Sequence, residues 1–338
     1  MQLDDSNRIT IVEVAQYAGV STATVSRVIN KTGPVLPETA AKVYAAIEAL
    51  NYKPNAAARG LASRRTNAIG LLVDEINSEF FQPMLRGIEV TARASGMSLL
   101  ISSTGGMDKA TPPYPLGENN TDGLIIFADS LPQEEILRLH KIGLPMVLLH
   151  RSSPPNLNIP CVTVENKIGA RRMVDYLIEE RGYRKIAFLE GPDSHEDAYW
   201  RKLGYQESLA AHNIPFDPKL VSLGGFDEAQ AHLSVSHWVE QGLKAKVIFA
   251  ADDDSAIGAM IALKEAELRI PEDIALVGFD DIRLAAYLDP PLTTVRAPIE
   301  QAARIAVEQL VKVIHGEEVE LKTLLPTELV IRRSCGCC

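Results

Sequence analysis

Thr22, Ala23, Ser26, Arg27 and Asn30 fall at helical spacing and set hydroxyls, a methyl, a guanidinium and an amide on one side of a short segment that also holds Thr24. Small and polar groups on one helix face suit base edges in a DNA major groove. Something must hold that helix outward. Thr10 followed by Glu13 reads as a capping box that starts a first helix at Ile11. Ala15 is small where a second helix crosses, and Gly19 supplies the positive φ of a tight inter-helix turn. Val20, Val25 and Val28 then pack inward. The spacing is that of a helix-turn-helix, a geometry that also occurs in helical hairpins used for protein contacts. Downstream, Glu38 to Leu50 reads as a third helix with Val43, Ile47 and Leu50 on one face. Asn51 to Ser63 is Ala-rich but too short to hold as an isolated helix, so its order must come from outside.

Charge divides the chain in the same place. Residues 1–66 hold eight Lys or Arg against five Asp or Glu, net +3, while the remaining 272 residues hold 26 against 39, net −13. Only the first part suits a polyanion. A chain of 338 residues with 46% hydrophobic content can bury a large core in more than one domain. No secretory leader or bilayer-length apolar run is visible, so the chain reads as cytoplasmic.

Other groups able to do chemistry are fewer. Asp252, Asp253 and Asp254 are consecutive, so their side chains diverge and a metal site is not expected; Asp253 and Asp254 read equally as caps of a helix starting near Ser255. Cys335-Gly-Cys-Cys338 has Cys161 as the sole other thiol, too few ligands for a four-coordinate site. The sequence calls for no cofactor, and no Walker loop, dinucleotide fingerprint, nucleophile elbow or His-Glu-x-x-His stretch is present, which argues against an enzyme.

From Ala68 the chain alternates apolar runs with amphipathic stretches, the pattern of a parallel α/β sheet. Strands are expected at Ala68 to Val73, Ser98 to Ser102, Gly123 to Phe127, Met146 to Leu149, Lys185 to Leu189, Val247 to Ala250, Ile274 to Phe279 and Leu329 to Arg332. Helices are expected to end at Gly96, Gly143 and Gly182. Between Ser103 and Asp122 the pairs Gly105-Gly106 and Pro112-Pro113, with Pro115 and Gly117, predict a loop.

Val14-Ala15, Ala18-Gly19-Val20-Ser21, Thr24-Val25-Ser26-Arg27-Val28, Asn51-Tyr52 and Pro54-Asn55 resemble the lactose/galactose repressor family. The resemblance extends through Gly191-Pro192, Arg201, Gly204-Tyr205, Asp253, Ala256-Ile257-Gly258-Ala259, Val277-Gly278-Phe279-Asp280-Asp281 and Pro291-Leu292-Thr293-Thr294-Val295. It implies a repressor that binds operator DNA as a homodimer under a small-molecule effector, a sugar or related metabolite. It implies a helix-turn-helix domain over 1–54, a hinge helix over 55–66 and an effector-binding core over 67–338. That core is similar to periplasmic sugar-binding proteins: two doubly wound parallel-sheet lobes joined by three crossovers, the first about 67–166 with 297–325, the second about 167–296 with 326–338.

By the same resemblance Thr22 and Ala23 read bases with Arg27 beside them, Thr10, Ser21, Thr39, Tyr52 and Asn55 meet phosphates, and Leu61 wedges into the minor groove. Arg201 becomes the principal effector ligand. Asp252, Asp280 and His150 fall beyond strand carboxyl ends, with Phe80, Phe81 and Phe226 as the surrounding aromatics. Plainer readings stand beside these: Asp280 as a strand-end turn residue, His150 on a solvent-facing rim, one of Phe80 and Phe81 in the core. One departure is Leu36 before Pro37, where the family usually has a serine cap; the helix breakers between Ser103 and Asp122 are another, replacing a helix near the family's subunit interface. No leucine heptad follows the last expected strand, so a dimer is expected rather than a four-stranded bundle.

Overall fold

The computed structural model describes residues 9–30, 33–52, 65–105 and 114–336. Residues 55–64 of the expected hinge segment, with Asn55 and Leu61, lie outside those residues, as do residues 106–113 of the Pro/Gly-rich stretch. The chain divides into two compact units, Met1–Thr66 and Asn67–Cys338.

Among its described residues the first unit holds three helices, α1 (Ile11–Ala18), α2 (Thr22–Asn30) and α3 (Pro37–Ala49). Val14, Ala15, Val25, Val28, Val43 and Ala46 form its core. Gly19 sits at φ 66°, left-handed as the turn requires. The helix expected from Glu38 begins at Pro37, because proline's missing N–H costs nothing at the first helical position.

The second unit carries two six-stranded sheets. The first is built from β1 (Ala68–Val73), β2 (Ser98–Ser103), β3 (Gly123–Phe127), β4 (Met146–Leu149), β5 (Cys161–Val164) and β11 (Lys322–Leu325), all parallel. The second takes β6 (Ile186–Glu190), β7 (Val221–Leu223), β8 (Val247–Ala250), β9 (Ala275–Asp280), β10 (Thr293–Arg296) and β12 (Glu328–Val330). Their orders are β11-β5-β4-β3-β1-β2 and β12-β10-β9-β8-β6-β7, so the chain crosses between sheets after β5, β10 and β11. In the second sheet β12 runs antiparallel to β10, a departure from the all-parallel expectation. β12 enters this sheet directly from β11 of the other, with only Pro326 and Thr327 between them.

Helices α4 (Phe81–Ala94), α5 (Gln133–Lys141) and α10 (Ile299–Ile314) belong with the first sheet; α6 (Asn166–Glu179), α7 (Glu196–Ala211), α8 (Glu228–Glu240) and α9 (Asp253–Glu265) belong with the second. Gly96, Gly143 and Gly182 follow helix ends at φ 71°, 78° and 70°. The loop expected before Asp122 is seen where described: residues 104, 105 and 114–122 contain no helix. Leu116 is buried in a cluster with Leu72 and Leu124. Gly204 lets α7 press against α6, since a Cβ there would lie 2.3 Å from the Lys167 carbonyl oxygen.

Candidate functional site

On α1, the Thr10 amide donates to Glu13 Oε2 at 2.6 Å and the Thr10 hydroxyl to the same atom at 3.0 Å, completing the expected box. Those bonds hold the Glu13 carboxyl below its ordinary range. Ser21 caps α2, its Oγ accepting from the Thr24 amide at 3.1 Å. With Val25 and Val28 buried, Thr22, Ala23, Arg27 and Asn30 are exposed, as are Thr10 and Ser21. Thr24, Ser26, Thr39 and Tyr52 are half-buried, and the Asn30 amide donates to Ser26 Oγ at 3.2 Å. The outward face of α2 is therefore a low, polar ridge. Leu36 stands before α3, 74% exposed and without a side-chain cap bond.

In the second unit, strand carboxyl ends from both lobes surround a cavity of about 240 Å³. Asp74 and Glu75 follow β1, Ser78, Phe80 and Phe81 lead into α4, Phe127 and Ala128 end β3, and His150 follows β4. From the other lobe come His195, Asp197 and Arg201 of the α7 entry, Phe226 after β7, Asp252 and Asp254 after β8, and Asp280 at the end of β9. All seven expected cavity residues line this one space: Phe80, Phe81, His150, Arg201, Phe226, Asp252 and Asp280. Ala128, His150, Phe226 and Asp280 adopt left-handed backbone, with φ of 41°, 58°, 57° and 107°. Non-glycine residues hold such conformations at a cost, and they concentrate where strand ends must aim side chains into a site.

Arg201 is 2% exposed, and protein atoms occupy its fork. Nε donates to Asn166 Oδ1 at 2.8 Å, Nη1 to the Ala251 carbonyl at 2.6 Å and Asp280 Oδ2 at 3.3 Å, and Nη2 to Asp280 Oδ1 at 2.8 Å. The guanidinium carbon lies 3.8 Å from the Phe279 ring centre and 5.4 Å from that of Phe226. Burial pushes the Asp280 carboxyl up even though Arg201 opposes the shift. Asp197 goes the other way: burial would raise it, but His150 and Arg201 bring it below the ordinary carboxylate range. His150 is 2% exposed, not on a solvent-facing rim, and its Nδ1 meets Asp197 Oδ2 at 2.6 Å. Its ring packs among Phe80 and Phe127.

The acidic triplet divides its work differently from the expected capping. Asp252, not Asp253 or Asp254, caps α9, accepting from the Ser255 amide at 3.2 Å. Burial, then the neighbouring Asp254 and Asp280 carboxylates, push Asp252 up to about 7. Asp253 turns away into the core, accepting from the Thr294 hydroxyl at 2.6 Å and the Ile282 amide at 2.9 Å. Asp254 accepts from the Ser78 hydroxyl of the other lobe. Phe81 is buried and packs edge-on against Phe127, while Phe80 is half-buried. Sequence reasoning missed Asn166, Asp197, His195, Ser78, Asp74 and Glu75. Asp197 carried a usable signal, lying four residues before Arg201 on the same helix face. Among the described residues no group of three or more His, Cys, Asp or Glu side chains is placed to hold a metal ion.

Residues 10–55 match the family of bacterial regulatory proteins called lacI, and residues 174–335 match a periplasmic binding protein-like domain. The HTH-type transcriptional repressor PurR of Vibrio atlanticus (strain LGP32) is 34% identical over 329 residues, covering 96% of this chain and 98% of that protein. A structure of the lac repressor dimer bound to operator and the anti-inducer ONPF superposes with TM-score 0.81 at 27% identity, covering 97% of this chain and 99% of the other. A complex of the transcriptional regulator CelR with cellobiose gives TM-score 0.71 at 31% identity, covering 97% and 100%. With the helix-turn-helix and the two-lobed core both matched along nearly their whole length, the chain belongs to the lactose/galactose repressor family of DNA-binding transcription regulators, which are repressors and not enzymes.

Proposed function

We propose that this repressor binds an operator as a homodimer through the outer face of α2, and that a polyhydroxy metabolite in the interlobe cavity controls it. The observation that carries the ligand half is the cavity itself: carboxylates and aromatic rings converge from the ends of both sheets. Carboxylates accept from vicinal hydroxyls, and Phe80 and Phe226 offer faces for the apolar side of a ring. In this reading Arg201 holds Asp280 and Asn166 in place and turns its remaining donor capacity to the ligand. His150, Asp252 and Phe81 complete the wall. The CelR structure holds cellobiose, which supports a sugar here.

For DNA, Thr22, Ala23 and Arg27 read bases, with Thr24, Ser26 and Asn30 alongside; Thr10, Ser21, Thr39 and Tyr52 meet phosphates. Asn55 and Leu61 receive their phosphate and wedge roles from the family resemblance alone. Functionally, 1–54 is the DNA-binding domain, 55–66 the hinge and 67–338 the effector core, working in the cytoplasm. A gel-shift titration of genomic fragments at rising salt tests the reading. A preferred, palindromic site whose affinity falls steeply with salt is the expected result; no preference over random DNA would sink it. A ligand that weakens operator binding must itself bind more weakly to the DNA-bound dimer, which tests the coupling.

A further inference from the structure

We infer that the cavity selects an effector carrying a protonated amine, a polyhydroxy ring with a cationic substituent, in preference to a neutral or phosphorylated one. The inference rests on the cavity being the effector site.

Charge balance inside the wall is the starting observation. Six carboxylates face the cavity, those of Asp74, Glu75, Asp197, Asp252, Asp254 and Asp280. Arg201 is the one Lys or Arg among the described lining residues, and its guanidinium is bound to Asp280, Asn166 and the Ala251 carbonyl. His150 and His195 each face a carboxylate, Asp197 at 2.6 Å and Asp74 at 3.8 Å. Even with both imidazoles protonated, negative charge exceeds positive. Among the described residues an incoming phosphate therefore meets several buried anions and no cation but the already bonded Arg201 and the two histidines, an arrangement that disfavours it.

One buried polar atom of the wall, His150 Nε2, and one carboxylate oxygen, Asp252 Oδ2, are left for a ligand to pair. Asp252 is 5% exposed and lines the cavity; Oδ1 accepts from the Ser255 amide, while Oδ2 has no donor among the described residues. His150 Nε2, on a residue 2% exposed from the opposite lobe, is buried without a partner among the described residues. A buried polar atom left unpaired is costly, so a ligand that pairs it gains the corresponding free energy. An ammonium brings up to three donors and a positive charge, matching an acceptor whose ionised form the Asp254 and Asp280 charges disfavour. The upward-shifted Asp252 carboxyl agrees: burial, then the Asp254 and Asp280 charges, outweigh the opposing charge of Arg201.

Binding then carries a proton signature. An ammonium beside Asp252 favours its ionised form, so a carboxyl whose pKa is pushed up to about 7 releases part of its proton to solvent on binding. A neutral sugar causes no such release.

The test is calorimetric titration of the full-length protein at pH 7, in two buffers of different ionisation enthalpy. The probes are glucose, galactose, glucosamine, galactosamine and glucose 6-phosphate. Wild type and Asp252→Asn are compared; asparagine preserves the α9 cap and the shape while removing the charge. At least one amino sugar is expected to bind about tenfold or more tightly than its neutral parent, with proton release, and the advantage should shrink below about threefold in the variant. A neutral parent that binds as well as its amine, a preference that survives Asp252→Asn, or tighter binding of the phosphate ester overturns the amine preference alone. Failure of all five probes to bind overturns the sugar reading above together with this one.

Discussion

Arg201→Lys separates what the guanidinium does for the fold from what it does for a ligand. Lysine retains the charge but replaces a planar fork with a point donor. In the structure the fork makes bonds to Asn166, Ala251 and both Asp280 oxygens, and it covers the Phe279 ring. An ammonium at this site keeps one good contact to Asp280 and leaves the Asn166 and Ala251 oxygens short of donors. Two buried acceptors at about 1–3 kcal/mol each, less relaxation of the cavity wall, give a loss on the order of 3 kcal/mol in core stability. For a unit of this size that is roughly a 6–12 °C fall in melting temperature. Loss of directed donors to the ligand should weaken effector binding by a further 2 kcal/mol or so, about thirtyfold. Urea unfolding and calorimetric effector titration of the folded variant measure the two effects independently. A melting temperature within about 2 °C of wild type would refute the hydrogen-bond accounting. Lower stability with unchanged effector affinity would confine Arg201 to a structural role and overturn its assignment as a ligand contact.

Three further outcomes follow from particular residues. Asp252→Asn should make the core more stable than wild type, by an amount that depends on pH. Because folding raises the Asp252 pKa from about 4 to about 7, the folded state favours the protonated form; wild type loses stability as pH rises across that window, and the variant does not. The gap measured by urea unfolding should be small near pH 4 and plateau above pH 7 at up to roughly 3–4 kcal/mol, whereas a pH-independent gap contradicts the assignment. Leu36→Ser should stabilise the three-helix unit by about 1 kcal/mol through a bond to the α3 N-terminus, visible as a higher melting temperature by circular dichroism. Gly204→Ala should destabilise the core by roughly 1–3 kcal/mol, because its Cβ would intrude on the Lys167 carbonyl and force α7 off α6; an unchanged unfolding midpoint would argue against so close an approach.

The strands read to the residue from sequence were β1, β3, β4 and β8, apolar runs buried on both faces. Such strands carry a dense local signal. Those missed were short, polar or at an edge: β5, β7, β10 and β11, the last with Lys322 and Leu324 exposed. There the partner strand, not the local sequence, decides the conformation. The cavity shows the same division. Arg201, Asp280 and Phe226 were readable from the motifs around them. Asn166 and Asp197 gain their significance from partners 35 and 47 residues away, a relation that only folding creates. The triplet was misread by one residue because the helix starts at Asp253, two residues before Ser255, which makes Asp252 its cap.

The bonds that stitch the two lobes across the cavity have a kinetic consequence. His150 meets Asp197, Ser78 donates to Asp254, and the Ser152 amide and hydroxyl each donate to Glu196 at 2.6 Å, all from one lobe to the other. For a ring-sized molecule to enter, we expect these bonds to part first, so that capture is gated by an opening that the protein performs on its own. In stopped-flow mixing the observed rate should climb with ligand concentration and then level off at the opening rate. A regulator built this way answers a sudden surge of metabolite at a pace fixed by its own clasp, however large the surge.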